Sequence, residues 1–165
     1  MQNIEEIYNK YARIVYKYIF CMTKDEDLAE EIVQDTFLTA VEKIDSFKGE
    51  SKISTWLCQI AKYKWYERLK KHKKELPLED LEKNQSLENI LEADFLNKEN
   101  RKELFKKMQK LDEQTRNVMY LRILGDFNYD EIADIMGKTS NWARVTFFRG
   151  KQKIKEEDKW KKSAK

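Results

Sequence analysis

Glycine and proline are scarce in this chain, whose 165 residues contain four glycines and one proline. Architectures of many short strands depend on turns rich in these two residue types, so such architectures are disfavoured. Apolar residues instead recur at spacings of three and four along most of the chain, which is the period of an amphipathic helix. No strand pattern competes with this period. We therefore predict an all-α protein.

Cysteine and histidine are scarce as well. Cys21 and Cys58 lie far apart in no metal-like spacing, and His72 is the only histidine. These counts argue against a zinc site and suit two thiols in a reducing cytoplasm. No catalytic constellation of side chains is evident, so we predict neither an enzyme, a bound metal nor a cofactor.

Long hydrophobic runs are also missing. No apolar stretch approaches the roughly 20 residues that cross a bilayer. The first ten residues are polar and charged, unlike a signal peptide. We expect a soluble, cytoplasmic chain with no direct insertion into a membrane.

Charged side chains are abundant and unevenly distributed, although the formal net charge is only +3. Residues 1–74 hold 14 basic and 12 acidic side chains, residues 75–100 hold 2 and 8, and residues 101–165 hold 17 and 10. The basic C-terminal segment indicates a polyanionic partner. We predict two small helical domains, residues 1–74 and 101–165, joined by an acidic flexible linker at 75–100.

The C-terminal domain contains the pattern of a helix-turn-helix. Asn128 is placed to cap one helix, Gly137 to end it with a positive φ, and Thr139 to cap the next helix. The second helix of such a motif lies in the DNA major groove. The side chains that we expect to contact DNA are Ser140, Asn141, Arg144, Phe148, Arg149 and Lys151. A plain helical hairpin explains the turn, caps and basic run less well.

Three helices are predicted in the N-terminal domain. Thr23 is expected to cap the second helix, with Glu26 completing a capping box. Gly49 and small polar residues around it predict a loop at about 45–51. The third helix is predicted from about Ile53 to Lys74, with a core stripe of Ile53, Trp56, Leu57 and Ile60.

The opposite face of the third helix combines aromatic rings with lysines. Its members are Lys62, Tyr63, Tyr66, Lys70 and Lys73. Aromatic rings can stack on unpaired bases while the ammonium groups hold phosphates. A solvated lysine face with partly packed tyrosines fits the same pattern equally well.

Together the two halves resemble the extracytoplasmic-function (ECF) group of bacterial RNA polymerase sigma factors. The N-terminal similarity lies in AEEIVQDTFLTAVEKIDSFKGESKISTWLCQIAKYKWYERLKK, which is similar to the family pattern (D/E)DLVQETF…F…STWL…IA. The C-terminal similarity lies in LDEQTRNVMYLRILGDFNYDEIADIMGKTSNWARVTFFRGKQKI, which is similar to L…R.V..LR…SY.EIA..LG.S…V…R.R..L. The two segments cover nearly all of the chain except the linker.

The resemblance implies binding to core RNA polymerase and promoter-specific initiation of transcription. Glu31, Gln34 and Asp35 are expected to bind the clamp helices of the polymerase β′ subunit. The residues expected to recognise and open the −10 promoter element are Ser46, Phe47, Lys48, Lys62, Tyr63, Tyr66 and Lys70. The C-terminal domain is expected to bind the −35 element and the β flap. An anti-sigma factor, often membrane-bound in this family, is expected to hold the protein inactive.

Two other functions fit parts of the sequence. A stand-alone helix-turn-helix regulator could use the N-terminal helices for dimerisation or effector binding, and a helical adaptor would not bind DNA at all. The aromatic and basic helix and the acidic strip favour a sigma factor, because a repressor needs neither. Trp142, Val145 and Thr146 depart from the family pattern, as does Lys62-Tyr63 after Ile60-Ala61, so the promoter sequence stays open.

Overall fold

The computed structural model describes residues 3–72, 98–123 and 125–163. Within these ranges the regular secondary structure is helical, and there are no strands. The α-helices in these ranges are α1 (Ile4–Thr23), α2 (Glu26–Lys43), α3 (Ile53–His72), α4 (Lys98–Gln109), α5 (Glu113–Ile123), α6 (Tyr129–Met136) and α7 (Ser140–Ser163). A short 3₁₀ helix, Ile44–Ser46, follows α2. The chain divides into two compact units, with α1 to α3 in the first and nearly all of α4 to α7 in the second. The predicted all-α class with two helical domains is confirmed.

The first unit is a bundle in which α1, α2 and α3 pack against one another. Its largest fully buried side chains come from all three helices and include Ile19, Phe20, Ile32 and Leu57. Full burial of each such side chain contributes about 1.5–3 kcal/mol relative to exposure. The hydrophobic core thus joins the three helices of this unit into one body.

The junction between α1 and α2 corrects the predicted capping box. α1 continues through Thr23 and ends at Lys24, whose φ of 56° is left-handed. The N-cap of α2 is Asp25, and its carboxylate accepts a hydrogen bond from the backbone N–H of Leu28 at 3.1 Å. The Thr23 hydroxyl instead accepts from the backbone N–H of Asp25. Because threonine and aspartate are both good N-caps, residue type alone did not show that the cap lies two residues after Thr23, at Asp25.

The second unit has its core where α5 meets α7 and α4. α5 contributes Val118, Met119, Tyr120 and Leu121 to this core, all of them buried. α7 contributes Ala143, which is also fully buried. One side of α7 is therefore fixed against the rest of the unit, and the opposite side is left to solvent.

The helix-turn-helix consists of α6, a turn and α7, and its predicted local features are present. The Asn128 side chain accepts a hydrogen bond from the N–H of Glu131 at 2.8 Å. Gly137 has a φ of +66°, as a left-handed turn residue requires. The Thr139 hydroxyl accepts from the N–H of Trp142 at 3.0 Å. Both caps and the turn are confirmed.

Gly150 brings α7 close to α5. A Cβ atom built at this position would lie 2.8 Å from Met119 Sδ and 3.0 Å from Thr115 Cγ2. These distances are shorter than ordinary van der Waals contacts of 3.5–4.0 Å. The lack of a side chain at Gly150 therefore permits the close approach of the two helices.

The acidic segment predicted as a linker lies almost entirely outside the described residues. Its scattered leucines also suggest a helix start near residues 91–95, which lies outside the described residues too. α4 begins at Lys98, shortly before the predicted domain start at Arg101. Within the described ranges, no helix is long and apolar enough to cross a membrane. The same ranges contain no group of three or more His, Cys, Asp or Glu side chains that could hold a metal ion.

Candidate nucleic-acid interface and docking surface

The predicted polymerase-binding residues lie together on α2. Glu31 and Gln34 are exposed and Asp35 is half-buried, as expected for residues three and four apart on one helix face. The exposed row continues towards the C-terminus with Leu38 and Val41. We call residues 31, 34, 35, 38 and 41 the α2 face. It is acidic at one end and apolar at the other.

Arg68 of α3 bridges the two carboxylates of the α2 face. Its Nη1 lies 2.6 Å from Glu31 Oε2, and its Nη2 lies 2.9 Å from Asp35 Oδ2. The hydrogen bond with Glu31 raises the pKa of Arg68 above its ordinary value, burial opposes this, and the bond with Asp35 adds to it. Arg68 therefore fixes the positions of both carboxylates and neutralises part of their charge.

Arg68, Leu38 and Val41 are absent from the sequence-based prediction. Arg68 is 37 and 33 positions away from its two partners, so no local pattern connects them. A signal for Leu38 and Val41 does exist, because they extend the spacing of Glu31 and Gln34 along one helix face.

The predicted promoter-opening loop is anchored at its start and open at its tip. The Ser46 hydroxyl donates to the Lys43 carbonyl at 2.6 Å, which closes the 3₁₀ helix. The half-buried Phe47 ring packs on Trp56 of α3, with centroids 4.9 Å apart and an interplanar angle of 36°. Lys48 follows as an exposed residue, and Gly49 has a φ of +72°. Trp56 is half-buried and holds the loop, rather than lying in the core stripe.

The orientation of α3 differs from the predicted one. Of the predicted core stripe, Leu57 is fully buried, whereas Ile53, Trp56 and Ile60 are half-buried. The buried residues of α3 are Thr55, Leu57, Cys58, Ala61, Lys62 and Trp65. The prediction assigned residues to the core because they are apolar. Packing against α1 and α2 instead buries a stripe of α3 that includes two polar side chains, Thr55 and Lys62.

The predicted position of Lys62, on an open lysine face that binds DNA, is wrong. Its side chain is only 7% exposed, instead of lying on an open lysine face. The ammonium group lies 5.5 Å and 5.7 Å from the ring centroids of Tyr63 and Tyr66. A lysine can be buried in this way because its methylene stem is apolar and its charge is attracted to aromatic rings.

Three other predicted residues of α3 are accessible to a ligand. Tyr63 is 64% exposed, Tyr66 is half-buried and Lys70 is exposed. Their spacing of three and four places them on one side of the helix. The structure thus brings two aromatic rings and a lysine to one surface, beside the Lys62 ammonium.

Most predicted DNA-contacting residues of α7 are exposed. Asn141, Arg144, Phe148, Arg149 and Lys151 all reach solvent. Ser140 is half-buried, and its hydroxyl donates to the Asp130 carboxylate of α6. This bond ties the start of α7 to α6, so Ser140 has a structural contact in addition to its predicted one.

Aromatic rings accompany the cations around α7. The Arg144 guanidinium lies 5.5 Å from the Tyr129 ring centroid, and Lys151 Nζ lies 5.6 Å from that of Phe147. Trp142 is half-buried, with Lys138 Nζ 5.7 Å from its ring centroid. These contacts leave the charges at the surface while orienting their side chains.

Comparison with known families finds matches in both halves of the chain. The pattern described as Sigma-70 region 2 matches residues 7–75, and that described as Sigma-70, region 4 matches residues 101–154. The first match contains the α2 face and α3, and the second contains α6, the turn and α7 as far as residue 154. Their order along the chain agrees with the predicted one.

Curated proteins are similar over almost the whole chain. The ECF RNA polymerase sigma factor SigM of Bacillus subtilis (strain 168) is 32% identical over 152 residues, which are 92% of this chain and 93% of SigM. The RNA polymerase sigma factor YlaC of the same organism is 30% identical over 93% of this chain and 90% of YlaC. The ECF RNA polymerase sigma-E factor of Escherichia coli (strain K12) is 28% identical over 88% of this chain and 79% of that protein.

Two solved structures share the fold. The sigma factor RpoE from Bartonella quintana, in complex with the anti-sigma factor NepR, aligns with a TM-score of 0.70 and 19% identity over 92% of this chain and 94% of that chain. CnrH, in complex with the cytosolic domain of CnrY, aligns with a TM-score of 0.62 and 17% identity over 93% of this chain and 85% of that chain.

Proposed function

Because the chain belongs to the ECF group of RNA polymerase sigma factors, we propose that its first unit docks on core polymerase and opens the −10 element while its second unit binds the −35 element. As a member of this group the chain is a promoter-recognising initiation factor, which sets aside the stand-alone regulator and the helical adaptor. The observation that carries the division of roles is the order of the two matches. Region 2 covers the α2 face and α3, and region 4 covers α7 as far as residue 154.

The α2 face is the proposed docking surface for the β′ clamp helices. Its acidic end offers Glu31 and Asp35, held at fixed positions by Arg68, and Gln34 adds an exposed amide. Its other end offers Leu38 and Val41. A partner that fits both ends carries basic side chains beside an apolar patch, and burial of the patch adds affinity to the charge complementarity.

The loop and α3 are the proposed site of −10 recognition. Ser46, Phe47 and Lys48 form a loop whose base is anchored on Trp56 and whose tip is open. The flipped base expected in this family costs a few kcal/mol of unstacking, and stacking on aromatic rings recovers about 1–3 kcal/mol per base. Tyr63 and Tyr66 supply such rings, while Lys70 and the neighbouring Lys62 supply positive charge.

α7 is the proposed −35 reader, and the second unit also contacts the β flap. Its exposed side chains include Asn141, Arg144, Arg149 and Lys151, which can bind phosphates and base edges. Ser140 and Phe148 lie on the same helix, the first near its N-terminus and the second midway. The polymerase supplies the chemistry of RNA synthesis.

An anti-sigma factor is the proposed regulator of this chain. RpoE and CnrH, which share its fold, were solved with NepR and with the cytosolic domain of CnrY. A membrane-bound anti-sigma factor would hold the chain at the cytoplasmic side of the membrane until a signal releases it. Free chain would then work in the cytoplasm, where polymerase and promoter DNA are found.

Transcription with purified components tests the proposed function. Core polymerase is incubated with a pool of random promoter fragments, with or without the chain, and RNA 5′ ends are sequenced. We expect the chain to create defined start sites preceded by two shared sequence elements, at −10 and −35. Tight binding of the isolated chain to duplex operators, with no new start sites, would instead identify a stand-alone regulator.

Charge reversal tests the docking surface separately. We expect Glu31→Lys to weaken binding to core polymerase at least tenfold, because the new lysine repels the basic side chains expected on the polymerase and the ion pair with Arg68 is lost. Glu103→Lys makes the same change on the exposed part of α4 and should leave core binding unchanged. Equal losses in both variants would show that net charge, rather than the α2 face, determines docking.

A further inference from the structure

We propose that Val145 and Phe148 read thymine methyl groups in the −35 element, so that α7 selects thymines by apolar contact. This inference rests on the proposed −35 role of α7. Val145 is an addition to the DNA-contacting residues expected on α7, and Phe148 is assigned a base.

The buried side of α7 defines the side that faces away from the protein. Ala143 and Gly150 are buried, and Gly150 touches α5. At about 100° per residue, the direction opposite to these two positions is occupied by residues 141, 145, 148 and 152. The centre of the outward strip is therefore Val145 and Phe148, with Asn141 and Gln152 at its two ends.

Both central side chains are open to solvent. Phe148 is 59% exposed and Val145 is 37% exposed. Val145 and Phe148 together form a small exposed apolar patch bordered by cations, and apolar patches with a polar rim are the kind of surface that binds ligands. The free-energy cost of exposing these two side chains to water is removed when a ligand covers them.

The cations lie at the edges of this strip, not at its centre. Arg144 and Lys151 lie on one edge and Arg149 lies on the other, as the same helical angles require. Arg144 and Lys151 are also drawn towards the rings of Tyr129 and Phe147. Cations that flank an apolar centre match a DNA groove, where the phosphates run along both sides and the base edges lie between them.

The chemistry of the major groove identifies the base. Thymine alone among the four bases presents a methyl group there, and apolar side chains such as phenylalanine contact it. Because the side chains of valine and phenylalanine neither donate nor accept hydrogen bonds, they cannot recognise the donors and acceptors on the edges of the other bases. The apolar centre of α7 is thus selective for thymine at the positions that it faces.

Replacement of thymine by deoxyuridine tests this inference, because it removes the methyl group and keeps every hydrogen-bonding atom. Holoenzyme is assembled from core polymerase and the full chain, and a promoter selected from the random pool is used. Each −35 thymine, on either strand, is replaced in turn. We expect one or two replacements to weaken binding about fourfold, which corresponds to one buried methyl group.

Variants of α7 assign the effect to its residues. Phe148→Ala and Val145→Ala should each remove the deoxyuridine effect at one position, and Phe148→Leu should retain most of it. These side chains are exposed, so their truncation leaves the core of the second unit unchanged. Tyr8→Ala truncates an exposed aromatic side chain of α1, outside the proposed polymerase-binding and DNA-binding surfaces, and should leave the methyl effect at full size.

Several outcomes would overturn the inference while leaving the sigma-factor function intact. They are a selected −35 element without thymine on either strand, deoxyuridine replacements without effect, or a methyl effect that survives Phe148→Ala and Val145→Ala together. Loss of core or anti-sigma binding in Phe148→Ala, with an unchanged methyl effect, would mark the strip as a protein interface. Absence of any promoter-specific binding by the holoenzyme would instead refute the proposed function itself.

Discussion

Replacing Gly150 by alanine sets two opposite effects against each other in α7. Alanine is favoured over glycine in a helix interior by about 0.5–1 kcal/mol, so propensity alone predicts a more stable protein. The added methyl group would, however, lie 2.8 Å from Met119 Sδ, 3.0 Å from Thr115 Cγ2 and 3.2 Å from Met119 Cγ. Met119 is 1% exposed and cannot turn into solvent. These close contacts therefore decide the sign of the change in the free energy of unfolding.

The net effect follows from the size of the two contributions. Overpacking a buried contact costs about 1–3 kcal/mol. After subtraction of the propensity gain, Gly150→Ala should lower the free energy of unfolding of the second unit by about 1 kcal/mol. In a domain of this size, that corresponds to a fall of roughly 4–8 °C in Tm.

Urea and thermal unfolding of the full chain, followed by circular dichroism, measure this change. Gln152→Ala provides a control for alanine on the exposed side of the same helix, and its effect should stay within about 0.5 kcal/mol. Met119→Ala should cost less in the Gly150→Ala background than in the wild type, because the new methyl group partly fills the space. A gain in stability from Gly150→Ala would refute the reasoning, since it would mean that α5 and α7 separate without cost.

Three further predictions concern charge and burial. Arg68→Gln should lower the free energy of unfolding by up to about 1 kcal/mol at low salt, and a loss that persists at 1 M salt would contradict a screened ion pair. The hydrogen bond from the Thr115 side chain lowers the pKa of the Asp112 carboxyl from its ordinary value of 3.8. The Asp112 carboxylate therefore stabilises the fold above this value, and the contribution is lost as the pH falls through the lower pKa of the folded state. The stability difference between wild type and Asp112→Asn should shrink in that acid range, which unfolding measured as a function of pH can test. Burial raises the pKa of the Cys58 thiol to about 12, so iodoacetamide at pH 8 should label it slowly in the native chain and quickly in guanidinium, and fast native labelling would contradict its burial.

The parts of the fold that could be predicted are those fixed by neighbours in sequence. Asn128, Gly137 and Thr139 act within four residues of their own positions, through caps and a left-handed turn. Their residue types therefore sufficed for the helix-turn-helix. The prediction of Thr23 as the N-cap of α2 was wrong at the same level of detail, because Asp25, two residues later, is an equally suitable capping residue and takes that role.

The parts that could not be predicted depend on packing between helices. The burial of Lys62 follows from how α3 rotates against α1 and α2, and side-chain type gave the opposite answer. The contacts of Arg68 join positions more than 30 residues apart, so they follow from the tertiary fold. Most residues of the candidate site were proposed from the sequence, whereas Arg68, Leu38 and Val41, and the exposure and partners of every site residue, required the structure.

The bridge made by Arg68 has a thermodynamic consequence for the two binding events proposed for α2 and α3. Arg68 belongs to α3, yet its guanidinium is bonded to two carboxylates of α2. A protein that binds Glu31 and Asp35 competes with Arg68, and each bond it displaces returns positive charge to the helix that carries Tyr63 and Lys70. Linkage makes any such coupling reciprocal, so DNA bound at α3, as proposed, would change the affinity of α2 for its proposed partner by the same factor. Under the roles proposed for α2 and α3, Arg68 would couple polymerase binding to DNA binding.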